Sequence, residues 1–175
     1  MSQVLDRIKF HLTKRYKKKA VHAEALFIDE VWNIAKTKLE NKEYHKWYLM
    51  TPVNYDYFKG TFNTRLSWAA IDAILRVRYS LLKSLVYDKK NIGLHIHLSV
   101  AMNLSYKEQE EIIKKSIDWF KDALGFEPKE VVFGWWLYNE DTIDLCKRYS
   151  LKIINREDYN SIHDYNWRGI IRDDE

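Results

Sequence analysis

The sequence predicts an α/β fold with parallel strands, preceded by two amino-terminal helices. Three observations carry that prediction. From residue 46 onward, short apolar segments alternate with longer ones of helical period: strand, loop, helix, three times over, then a last strand. Such alternation implies parallel strands joined by right-handed crossovers. The polar and aromatic residues collect in the loops that follow the strands, where parallel folds hold their ligands. Finally, the segment at 91–99, NIGLHIHLS, has the period of a strand, with Leu94, Ile96 and Leu98 on one face and His95 and His97 on the other.

Length and composition set the frame. A chain of 175 residues reads as one domain with room for a substantial core: amino-terminal helices over 1–45, a β/α core over 46–155 and an irregular segment over 156–175. Charged residues make up 31% of the chain, beside 46% hydrophobic, which separates it from disordered sequences. Five glycines and two prolines leave little for long linkers. The single cysteine, Cys146, excludes an internal disulfide and fits a reducing, cytoplasmic setting. No apolar run approaches membrane-spanning length, and the first residues lack a signal core. The densest charge is Lys14-Arg-Tyr-Lys-Lys-Lys19, within a modest net charge of +4. Its first reading is a solvated helix face; binding of nucleic acid through phosphate contacts is the minor one.

The elements follow in order. Val4, Leu5, Ile8 and Leu12 form one side of a helix over 3–18, and Ala23, Leu26, Phe27, Val31, Ile34, Ala35 and Leu39 form the stripe of a second over 20–41. Lys46-Trp-Tyr-Leu-Met-Thr51 is a buried strand ended by Pro52, which cannot donate to a ladder. The loop opens with residues 53–60, which carry an amide, a carboxylate and three aromatic rings, and continues to Asn63. A long helix spans 64–87, followed by the histidine strand. Ser105 and Glu108 form a capping box that opens a helix closed by Gly125. A short strand at 130–133 leads into Gly134-Trp-Trp-Leu-Tyr-Asn139, where Asn139 caps a helix over 140–149. The last strand is 151–154.

Histidines at i and i+2 of a strand hold their rings side by side and can offer two ligands to a divalent metal; the plainer reading is a buried, hydrogen-bonded pair. The strand-end loops bring Asn54 and Asp56, His95, His97 and Ser99, Trp135, Trp136 and Tyr138, and Asp158, His163, Asp164 and Trp167 to one face. No P-loop, dinucleotide fingerprint or nucleophile elbow occurs. Cys146 reads as core.

Two stretches carry a resemblance. Asn91-Ile-Gly-Leu-His-Ile-His97 is similar to the metal-histidine strand of the polysaccharide deacetylase superfamily, in the branch that writes it GLHIH. Phe126-Glu-Pro-Lys-Glu-Val-Val-Phe-Gly-Trp-Trp-Leu-Tyr-Asn-Glu-Asp-Thr142 resembles that superfamily's later proline, glycine and Asn-x-x-Thr stretch. The similarity covers about 47–167 and is strongest in these two places.

The resemblance implies a truncated, incomplete (β/α) barrel of the deacetylase type and a hydrolase that removes an acyl group from an amino sugar or related amide. It implies a divalent ion, usually zinc, held by His95, His97 and an aspartate, of which Asp56 is the candidate and Asn54 a poor neutral substitute. It assigns acid–base work to Asp164 or His163, and the substrate groove to Trp135, Trp136, Tyr138, Asn54 and Trp167. The sequence departs from the family at several points. Gly134-Trp-Trp stands where an arginine is expected, and the chain stops before the strand that usually brings the acid histidine. Plainer readings make the tryptophans an aromatic plug and His163 with Asp164 an ion pair or cap. Two alternatives to the enzyme follow: an inactive carbohydrate-binding relative, and a basic interaction protein using Lys14–Lys19. The missing strands also leave a side that a second copy of the chain would complete.

Overall fold

A computed structural model describes residues 20–86, 88–98, 103–155 and 158, and the backbone of 162–165. Six strands form one sheet in the order β5-β4-β3-β2-β1-β6: β1 (Ala20–Ala23), β2 (Lys46–Met50), β3 (Ile92–Ile96), β4 (Glu130–Phe133), β5 (Lys152–Ile153) and β6 (Ile162–Tyr165). Every pairing is parallel. Five helices are described: α1 (Asp29–Glu40), α2 (Tyr55–Phe62), α3 (Trp68–Leu85), α4 (Tyr106–Leu124) and α5 (Glu140–Arg148). The chain is therefore an α/β protein with an open, barrel-like sheet. β6 does not continue beyond β5 but pairs with β1, the place where the last strand of a closed barrel would sit. Sheet order thus leaves the opening between β5 and β6.

The second predicted helix is corrected at its start. Residues 20–23 form β1, and helix begins only at Asp29. The first predicted helix, with the Lys14–Lys19 run, lies outside the described residues. The carboxyl-terminal segment read as irregular supplies β6. Three other expectations stand. Ser105 and Glu108 form the capping box of α4, with the Ser105 amide donating to Glu108 Oε2 at 2.7 Å. Gly125 closes α4 in the left-handed conformation, φ 74°. Asn139 Oδ1 accepts from the Thr142 amide at 3.0 Å to start α5. The loop after β2 is tighter than its composition suggests, since Tyr55–Phe62 winds into α2.

The sheet's two faces differ. Val21, Trp47, Leu49, Leu94, Ile96, Val131 and Phe133 belong to the main core with α1, α3, α4 and α5, which contribute Val31, Ala35, Leu75, Leu82, Ile113, Phe120 and Leu145. Cys146 is buried there, and burial pushes its thiol up to about 12. The opposite face holds a smaller apolar cluster of Ala20, Tyr48, Val132 and Ile154, packed under Trp136. On that face His22 is in register with Tyr48, Tyr48 with Gly93, and Met50 with His95, which in turn pairs Val132. The Tyr48 ring lies across Gly93, where a Cβ would come within 2.6 Å of it.

The carboxyl end of β2 is tied to α3 by Tyr79, fully buried, whose hydroxyl donates to the Met50 carbonyl at 2.5 Å. Burial pushes the Tyr79 phenol far above its ordinary range. Tyr79→Phe leaves that buried carbonyl without its donor, so urea unfolding is expected to show a loss of about 1–3 kcal/mol.

Candidate metal centre

The site lies at the carboxyl ends of β1 and β3. Strand alternation places His95 and His97 together, as their spacing requires. The carboxylate that meets them is Glu24, one residue past β1. Glu24 Oε1 lies 3.1 Å from His95 Nε2 and 3.0 Å from His97 Nε2. Ligand atoms of the three side chains all fall within 4.8 Å of one another, and no other described His, Cys, Asp or Glu joins the group. All three residues are buried or nearly so.

Asp56, the expected third ligand, sits on the exposed side of the first turn of α2, outside this group. Asn54 is buried at the end of the 3-10 turn before α2; its Nδ2 donates to the His97 carbonyl at 2.7 Å, and its Oδ1 has no partner among the described residues. It holds the backbone of the histidine strand. Sequence reasoning missed Glu24 and His22. The signal was present in residues 20–25, AVHAEA, where His22 and Glu24 alternate with small apolar residues just as His95 and His97 alternate with Leu94 and Ile96.

Hydrogen-bond geometry tests whether these residues suit a cation. His95 Nδ1 donates to the Val132 carbonyl at 3.1 Å, so its lone pair is on Nε2, which faces Glu24 Oε1. Burial pushes the Glu24 carboxyl up, but hydrogen bonds from His95 and His97 and their nearby charge outweigh it and hold the group well below the usual carboxylate range. A lone pair thus confronts a carboxylate oxygen across 3.1 Å, and something positive, a proton or a cation, must lie between them. The spacing is close to the ~3.3 Å edge of a tetrahedron built on metal–ligand bonds of about 2.0–2.1 Å. A backbone carbonyl fixing the far nitrogen is also how metal-binding imidazoles are usually oriented. Burial pushes His97 below the ordinary histidine range, against the pull of Glu24. Two histidines and a carboxylate therefore form a donor set suited to a divalent ion such as zinc.

Aromatic side chains wall the centre. Tyr57 from α2 stacks on His97, centroids 3.9 Å apart at 17°, and its hydroxyl donates to Glu24 Oε2 at 3.0 Å. Trp135 meets His97 edge-on at 4.4 Å and stays 52% exposed, an open indole face at the rim. Trp136 lies 5.4 Å from the His22 ring, which itself lies 4.8 Å from His95. Both tryptophans have left-handed backbone, φ 51° and 59°. Bulky residues there cost about 1–3 kcal/mol each and persist only where the surroundings hold them. Gly134 explains how the turn approaches so closely, since a Cβ on it would lie 2.1 Å from the His97 ring.

The remaining sequence candidates are distributed as follows. Tyr138 packs on Phe133 and donates its hydroxyl to Asn155 Oδ1 at 2.7 Å, joining the ends of β4 and β5. His163 and Asp164 lie on β6, where Val21 is in register with His163 and His22 with Asp164. Their side chains, and Trp167, lie outside the described residues. No described helix is long and apolar enough to cross a membrane.

No protein-family profile matches the sequence, and no curated protein matches it either. Solved structures do. A CE4 family pseudoenzyme from Bacillus anthracis aligns at TM-score 0.55 and 10% identity over 79% of this chain and 42% of its own. A mutant of that CE4 family pseudoenzyme aligns at TM-score 0.56 and 10% identity over 79% and 44%. A further mutant, described as having restored enzymatic activity, aligns at TM-score 0.50 and 11% identity over the same shares. The chain thus spans less than half the length of these proteins. At such identity the likeness is one of fold.

Proposed function

We propose that this chain is a metal-dependent hydrolase of the polysaccharide deacetylase type, removing an acyl group from an amino sugar or related amide in the cytoplasm. The observation that carries the reading is the buried Glu24–His95–His97 group, whose donor atoms lie close enough together to share one cation. A divalent ion there, zinc in this reading, supplies an acidified water and polarises an acyl carbonyl. Glu24, His95 and His97 would hold it. Val132 and Tyr57 orient two of those side chains, and the exposed indole of Trp135 offers a flat surface to the apolar face of a sugar ring. Asp164, in register with His22 beside the centre, remains the residue we propose for acid–base work, with His163 as its alternative.

A second reading is an inactive carbohydrate-binding relative of the same fold. It is favoured by the pseudoenzymes among the structural neighbours and by the absence of a second carboxylate in the described metal group. The test is zinc content together with acetate release from N-acetylated glucosamine oligosaccharides. About one zinc per chain, acetate release, and loss of both in His95→Ala/His97→Ala are expected. Zinc binding without acetate release would favour the second reading. A protein that takes up no divalent ion, even in excess, would overturn the first.

A further inference from the structure

We infer that Tyr57 is a positioning residue that limits Glu24 to one metal-facing oxygen and orients His97; this rests on the metal-site reading above. Two independent contacts support it. The Tyr57 hydroxyl donates to Glu24 Oε2 at 3.0 Å, while Oε1 faces both histidines. The Tyr57 ring also lies nearly parallel to the His97 imidazole, 3.9 Å from it. One side chain therefore touches two of the three prospective ligands.

The two histidines are supported differently, which gives the second contact its importance. His95 has its Nδ1 fixed by the Val132 carbonyl, whereas His97 Nδ1 is buried and has no hydrogen-bond partner among the described residues. Among the described residues, none supplies His97 with the usual outer hydrogen bond that sets ring orientation. Stacking by Tyr57, with the edge of Trp135 on the same ring, takes over that role. Phe62 meets the Tyr57 ring edge-on at 6.1 Å and restrains it in turn. At Glu24, a hydroxyl bound to Oε2 disfavours two-oxygen coordination. An ion held by one Glu24 oxygen and the two histidines would have three protein ligands, the number found in reactive rather than purely structural zinc sites.

The test uses the full chain with zinc and cobalt(II) as probes. Tyr57→Phe keeps the stacked ring and removes the hydroxyl. Its zinc affinity, measured by chelator competition, is expected to fall about 10–100-fold. The visible cobalt spectrum should shift as the carboxylate changes its mode, while the metal-free protein still unfolds cooperatively, at a temperature lowered by the loss of one hydrogen bond to a buried carboxylate. Tyr57→Leu removes both contacts and should weaken zinc further. If wild type binds zinc and Tyr57→Phe matches it within about twofold, with the same cobalt spectrum, the positioning role is overturned and the metal site stands. If wild type takes up neither ion, the metal-site reading falls and this inference with it.

Discussion

Gly134→Ala is expected to unseat His97 and to weaken both the fold and the metal centre. The added Cβ would lie 2.1–2.3 Å from three atoms of the imidazole, distances at which one of the two must move. The ring has no easy retreat, because Tyr57 covers its face and Nε2 is engaged with Glu24. Overpacking of this kind costs about 1–3 kcal/mol, sometimes more, and denaturant unfolding should show it. Zinc affinity should drop by at least about 100-fold, beyond the range of most outer-contact changes. Gly60→Ala is the matched control. It lies inside α2 with nothing within 4 Å of the added methyl. There alanine should be neutral or stabilise by up to about 1 kcal/mol.

Glu24→Gln is the second large effect. The amide keeps the shape of the side chain but loses the charge, so zinc affinity should fall by more than about 100-fold. The folded chain should survive, since an amide NH2 can donate to the His95 Nε2 lone pair that the carboxylate faces. Acid stability of the metal-free protein provides a separate readout. The Glu24 carboxyl titrates lower folded than unfolded, burial being outweighed by its bonds to His95 and His97. Its contribution is therefore present above the unfolded value of about 4.3 and is lost as pH falls toward the folded one. Glu24→Gln removes that contribution, so stability should decline less steeply than in wild type as pH falls below about 5.

Apart from α2, which reads as a loop, the strands and helices from Lys46 to Ile153 were legible because each carries one clear period and its own stop signals. Ser105, Gly125 and Asn139 act locally, so their roles can be read from a few neighbouring residues. β1 was hidden for a physical reason. Ala20–Ala23 is too short to establish an alternation, and the helical spacing of Ala23, Leu26 and Phe27 runs straight through it. With β1 read as helix, His22 and Glu24 could not be placed beside the histidine strand. The carboxylate was then sought after β2, at Asp56, which belongs to the exposed side of α2. β6 was hidden because a four-residue strand is specified by its pairing with β1, a contact distant in sequence. Tyr57 was visible as one of several aromatics in its loop, but its hydrogen bond to a residue 33 positions earlier was not.

X-ray absorption at the zinc edge of the loaded protein tests the central claim most directly. The account predicts about one zinc per chain with two imidazole nitrogens and a carboxylate oxygen at about 2.0–2.2 Å. It also predicts that this signal disappears in both Glu24→Ala and His95→Ala/His97→Ala. A wild-type chain that holds no zinc, or a zinc shell unchanged when Glu24 is replaced, would contradict it.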